Sequence, residues 1–169
     1  AAIACLATAV PALATEGEGV RWHDGDLASA LAAARERDKL VLVDAWADWC
    51  RYCHVMDDEL WPRDDVAARV ERVAVPVKVE VDARRGVGLD VKQRYGIEGL
   101  PVVLVLSPAD GSELARVEGL VNPARLDTAL RAAALVHAPE REIAKLPQAP
   151  ATRLEIARGL LAHDYARAA

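Results

Sequence analysis

The chain has 169 residues, of which 53% are apolar and 28% charged, and a formal net charge of −5. That length and composition describe a globular protein able to bury a core of its own, and exclude a disordered or collagen-like chain. An acidic balance without a basic run excludes a nucleic-acid binder that works by charge.

The first fourteen residues, AAIACLATAVPALA, carry no charge. They fall short of the ~18 apolar residues that mark a membrane span. Ala12-Leu13-Ala14 has the A-x-A form of a cleavage site. Residues 1–14 are therefore expected to be a signal-peptide remnant without its basic start, and the protein to be periplasmic or otherwise exported. A lipid-modified Cys5 is the competing reading, but the apolar run continues past it as a signal core does. Cleavage after Ala14 leaves Cys50 and Cys53 of the three cysteines.

Gly19-Val20-Arg21-Trp22 is expected as a short strand. Asp24 or Asp26 can cap a helix to about Arg37, with Leu27, Leu31 and Ala34 on one face. Leu40-Val41-Leu42-Val43 is a continuous apolar run, as in a strand covered on both faces. A helix starting at or near Cys50 repeats Cys53, Met56 and Leu60 on one face until Pro62. A further helical stretch covers Asp64 to Val70. Val75, Val77, Val79 and Val81 alternate with Pro76, Lys78 and Glu80, a strand period, and Pro76 points to a sheet edge or bulge. Leu89 to Tyr95 reads as a short helix and Val102 to Leu106 as another buried strand. Pro108-Ala109-Asp110-Gly111 is a turn into a hairpin partner, Glu113 to Glu118. Asn122-Pro123 opens a last helix with Leu126, Leu130 and Ala133 inward.

The order β-α-β-α-β-α-β-β-α makes an α/β domain over residues 15–137. Its first crossovers call for parallel, right-handed connections, and its last two strands for an antiparallel hairpin. Residues 138–151 hold Pro139, Pro147 and Pro150 and read as a linker. Residues 152–169 are expected to form a helical extension, either a closing helix or the start of a tetratricopeptide-like repeat. The pattern breaks off in mid-repeat, as in a piece of a longer protein.

The stretch Trp49-Cys50-Arg51-Tyr52-Cys53-His54 carries the chemistry. C-x-x-C-H attaches c-type haem, and C-x-x-C in a βαβ context is a thiol redox motif. Haem iron of the electron-carrying kind needs a second axial ligand. Met56 stands too near to reach the opposite face, which leaves only His23, His137 or His163. Structural zinc needs four ligands, and no second cysteine or histidine pair supplies them; no metal site is expected. A structural disulfide closing so short a loop would stabilise by roughly 2 kcal/mol, against about 5 for a loop of ~100 residues. Thiol redox chemistry fits better. Free N–H groups and the helix dipole favour a thiolate at Cys50, lowering its pKa below the usual ~8.5. Arg51 adds a positive neighbour. Cys53, one turn on, lies on the same face and would resolve a mixed disulfide, with Cys50 the more exposed, attacking sulfur.

VLVDAWADWC, with Asp44, Trp46 and Trp49 ahead of Cys50, resembles the active-site approach of thioredoxins. So do Lys78 in PVKVEVD, Pro101 in YGIEGLPVVLVL, and Gly119 before the last helix. The likeness covers roughly residues 19–136. ADWCRYCHVMDDELWPRDDVAARV resembles most the thioredoxin-like domain of envelope thiol:disulfide interchange reductases. The resemblance implies a thioredoxin fold, a mixed central sheet flanked by helices, followed here by the helical extension. It implies a thiol:disulfide oxidoreductase that reduces protein or peptide disulfides and draws electrons from a membrane partner. No cofactor is implied beyond a redox-active Cys50–Cys53 disulfide. Asp44 would be a buried carboxyl exchanging protons with Cys53, with Lys78 close by. Pro101 would be cis and turn the Leu100 backbone toward the sulfurs to pair with substrate. Trp49 would wall the same groove. Arg51-Tyr52 departs from the Gly-Pro of thioredoxin, so potential and direction stay open. Val102 stands where many members have Thr, and His54 is an added outward residue. Two other functions remain at this point: a binding module in a helical-repeat scaffold, and c-type haem attachment.

Overall fold

The computed structural model describes residues 19–82 and 86–139. Four strands, β1 (Leu40–Trp46), β2 (Ala74–Glu80), β3 (Val102–Leu106) and β4 (Glu113–Glu118), form one sheet in the order β2-β1-β3-β4. β1 pairs parallel with β2 and antiparallel with β3, and β3 pairs antiparallel with β4. The helices are α1 (Leu27–Arg37), α2 (Arg51–Glu59), α3 (Asp64–Val73), α4 (Val87–Arg94) and α5 (Pro123–His137).

Strand alternation sorts the core into two layers. Val41, Val43 and Ala45 of β1, with Val75, Val77 and Val79 of β2 and Leu104 and Leu106 of β3, pack with α1 and α4. Leu40 and Leu42, with Val103, Val105 and Val117, pack with α2, α3 and α5. Local chemistry sets the helix starts. The Asp26 side chain accepts from Ser29 N at 2.8 Å as the N-cap of α1. Asn122 does the same for α5, with Pro123 at its first turn. Gly88 lets α4 approach the end of β2: a Cβ there would lie 1.9 Å from the Glu80 carbonyl oxygen.

The structure departs from the sequence expectations in four places. Residues 19–22 form no strand. Val20 donates to Trp61 O at 2.8 Å and His23 to Pro76 O at 2.7 Å; Pro76 has no N–H to return, so no ladder grows there. Consequently the first β-α-β crossover begins at β1, and β3 runs antiparallel to it. α3 runs on to Val73, and α4 covers Val87–Arg94. Pro76 does sit on an edge strand, as its missing donor requires. The expected leader at 1–14, nearly all of the linker and the helical segment 152–169 lie outside the described residues. Among the described residues no helix is long and apolar enough to cross a membrane.

Candidate active site

β1 ends at Trp46, and the loop Ala47–Trp49 carries the chain to Cys50, the N-cap of α2. Cys50 N donates to Ala47 O at 2.9 Å, which closes that loop. Cys53 N donates to both Cys50 O (3.0 Å) and Cys50 Sγ (3.2 Å). The Cys50 sulfur therefore shares the Cys53 N–H with the Cys50 carbonyl oxygen at the start of α2. Cys50 and Cys53 are joined as a disulfide with their Cα atoms 5.3 Å apart. Ala47, Trp46 and Leu100 pack around them. One expectation needs correcting. Cys50 is 3% exposed and Cys53 2%, so in the disulfide form neither sulfur stands out to solvent. These neighbours cover both. Arg51 is exposed at the first turn of α2. His54 points outward and its Nε2 bonds Asp48 O at 2.7 Å, tying the helix back to the loop before Cys50.

Near the pair lies a charged cluster in which Asp44 is buried and Lys78 and Asp57 are half-buried. Asp44 stands opposite Lys78 in the β1–β2 register, and Lys78 Nζ lies 3.7 Å from Asp44 Oδ2. Lys78 also forms an ion pair with Asp57 on α2 and sits over the rings of Trp22 (5.4 Å) and Trp46 (5.3 Å). Burial drives the Asp44 pKa up to about 7. Lys78 opposes that rise, the like charge of Asp57 adds to it, and the Trp61 indole opposes it weakly. Asp44 Oδ1 and Trp61 Nε1 are both buried without a completed hydrogen bond. A carboxyl in that position changes charge near neutrality.

The third part of the site is the loop before β3. The Leu100–Pro101 peptide is cis. Pro101 O accepts from Gly119 N at 3.0 Å, while the Leu100 N–H and C=O make no hydrogen bond to the described residues. Trp49 is 64% exposed, which removes the possibility of a core aromatic; its Nε1 donates to Asp82 Oδ2 at 2.7 Å. Trp49, Tyr52 and Leu120 are among the few large apolar side chains exposed.

The structure thus brings Cys50, Cys53, Asp44, Lys78, Leu100, Pro101 and Trp49 to one end of the sheet. Arg51 shares that end but makes no ion pair among the described residues. Sequence reasoning missed Asp57 and Asp82. Asp57 had a usable signal, since it follows Cys53 by one helical turn and faces the same way. Asp82 had none, because its partner is set by how the chain leaves β2.

Residues 27–134 match the family model described as a thioredoxin-like domain, and the chain belongs to that family. It is accordingly a thiol:disulfide oxidoreductase with a thioredoxin fold and a C-x-x-C pair at Cys50 and Cys53. Among named proteins it is similar to the thiol:disulfide interchange protein DsbD 2 of Pseudomonas aeruginosa, 30% identical over 91 residues, which are 54% of this chain and 15% of that one. It is 33% identical to a thioredoxin of Echinococcus granulosus over 100 residues, 59% of this chain and 81% of the relative. A thioredoxin from Thermus thermophilus superposes with a TM-score of 0.62 at 25% identity, over 78% of this chain and 99% of its own. The chain spans 15 to 18% of the length of the Pseudomonas interchange proteins it matches.

Proposed function

We propose that the chain is an exported reductase of protein and peptide disulfides, recharged by a membrane electron donor. The observation that carries this reading is the Cys50 sulfur at the start of α2, receiving the Cys53 N–H, beside the unpaired Leu100 backbone. In the reduced protein that N–H and the helix dipole favour a thiolate at Cys50, and Arg51 adds positive charge. An extended substrate segment adds to the Leu100 backbone as a short strand and meets Trp49 on its other side.

The Cys50 thiolate attacks one sulfur of the substrate disulfide. The Cys50–substrate bond forms, the substrate disulfide breaks, and the first substrate thiolate leaves and takes a proton. The Asp44 carboxylate then accepts the Cys53 proton, with Lys78 holding the carboxylate in place. The Cys53 sulfur attacks Cys50 Sγ, the mixed disulfide breaks, and the second substrate thiolate departs and is protonated. Two electrons pass to the substrate and the Cys50–Cys53 disulfide remains, with no further cofactor. An Asp44 pKa of about 7 suits this duty, since the base form is present at neutral pH without being too weak to take a proton.

Similarity to thiol:disulfide interchange proteins supports disulfide exchange, and the likeness of residues 47–70 to envelope reductases supports the direction and the membrane donor. The apolar run at residues 1–14 supports export. Insulin reduction by the wild type and by Cys50→Ser tests the chemistry: the wild type is expected to reduce insulin and the variant to be inert, and equal rates would end the reading. Thiol trapping in cells tests the direction. A mostly reduced pair is expected, and a mostly oxidised pair would make the protein an oxidant instead.

A further inference from the structure

A cleft of about 230 Å³ is lined by Leu100, which also packs against the cysteines, but by neither cysteine. Gly96, Glu98, Gly99, Leu100, Pro101, Glu118 and Gly119 line it. Two features set it apart from the rest of this end. Three of its seven lining residues are glycines, which leave room for a long side chain. Its charged lining consists of two carboxylates and no cation. Glu98 is exposed and makes no ion pair or side-chain hydrogen bond among the described residues.

Nearby cations do not cancel this charge. Arg116 bonds Glu118 at 3.1 Å, yet it is already held by Glu113 at 2.7 Å and by the Tyr95 carbonyl. Arg125 turns to the Glu118 and Leu120 carbonyl oxygens. Glu118 is thus partly matched within the fold, and Glu98 is left for a ligand.

We infer that this cleft is a substrate subsite for a cationic side chain, a lysine or arginine flanking the cysteine under attack. The inference rests on the reductase reading, because Leu100 is both the backbone platform for substrate and the wall of the cleft. A strand laid along Leu100 alternates its side chains. With its cysteine over Cys50, a flanking side chain enters the cleft between Glu98 and Glu118. The apolar Trp49, Tyr52 and Leu120 around this end take the uncharged parts of the segment. Charge complementarity of this kind sets choice among substrates and speed of encounter.

The test uses pre-reduced protein freed of reductant and disulfide-linked dimers of a short capped peptide. The central cysteine is flanked on either side by Lys, Ala or Glu. Released peptide thiol is followed after acid quench. Each second-order rate constant is divided by that of dithiothreitol with the same peptide, which removes the intrinsic effect of the charges on the disulfide. The wild type is expected to favour Lys over Glu peptides by about fivefold to tenfold at low salt, and less at high salt. Glu98→Gln is expected to remove most of that ratio, Glu118→Gln a smaller part, and Glu98→Lys to invert it. The ratio is a readout that a merely structural role of Glu98 would not move. A normalised ratio near one in the wild type, or a ratio unchanged by both Glu98 variants, overturns the subsite. Failure to reduce even the Ala peptide would instead overturn the reductase reading itself.

Discussion

On β1, Val41, Val43 and Ala45 face α1 and α4, while Leu40, Leu42 and Asp44 face the opposite side of the same sheet. The first layer is hydrocarbon from end to end, apart from the buried phenol of Tyr95, whose hydroxyl donates to Gly111 O. The second starts as hydrocarbon and ends, near the cysteines, in Asp44, Lys78 and Asp57. One strand therefore supplies both a silent support and a titrating group, and the two differ only in the parity of the residue number. The lesson is one of division of labour. Burial of charge works against folding, so it is confined to the last buried position on that face of β1, and the other layer is left to hold the fold.

The comparison is tested most severely by removing hydrocarbon from the silent layer. Leu104 is fully buried between β1, β4 and α1. Leu104→Ala is expected to cost about 2–5 kcal/mol in urea unfolding and to leave the pH dependence of reduction unchanged. A shifted pH profile in a folded Leu104→Ala would show that the layers are not separate in function.

The converse change is Asp44→Asn. The Asp44 pKa is raised from 3.8 to about 7 in the fold. Folding therefore favours the protonated form. The benefit is complete below the unfolded value and is lost as pH rises through the folded one, so the wild type is penalised most above pH 7. The penalty there is at most on the order of 4 kcal/mol. Asp44→Asn is expected to be the more stable protein at pH 8, by less than that bound because a buried amide has costs of its own. The advantage should shrink steadily toward pH 4, while disulfide reduction slows and loses its rise near pH 7. A gain in stability that is the same at pH 4 and pH 8 would exclude ionisation as its cause.

Much of this was readable in the residues. The apolar runs of β1 and β3, the turn at residues 108–111 and the caps at Asp26 and Asn122 are local signals, and they fall where expected. The strand proposed at residues 19–22 failed because its formation depended on a partner edge interrupted by Pro76, a fact of pairing and not of local pattern. The site divides the same way. Cys50 and Cys53 follow from their spacing at a helix start, and Asp44 from the family resemblance. The shielding of Cys50 depends on Leu100, fifty residues further along the chain, and no spacing within α2 reports it. Asp57 was missed because an acidic residue on a mixed helix reads as solvated surface until Lys78 is seen to reach it from β2.

Asp57 also gives the finest test of the contrast between the two layers. It is only partly buried, and it acts on Asp44 in two ways: by its own charge, and by sharing the single ammonium of Lys78. Asp57→Asn removes the repulsion and releases Lys78 to Asp44. Both effects favour the Asp44 carboxylate, so its pKa falls below about 7. The rise of reduction rate with pH is then expected at lower pH, by less than about one unit, as befits a charge in partial contact with solvent. Stability should change by no more than about 1 kcal/mol, since the lost ion pair reaches water. Rate–pH profiles of the wild type, Asp57→Asn and the double variant Asp44→Asn/Asp57→Asn decide the matter. The single change must move the limb and the double must lack it. If Asp57→Asn still moves a limb when Asp44 is already Asn, the titrating group near neutrality is not Asp44, and the charged end of the second layer works through some other residue.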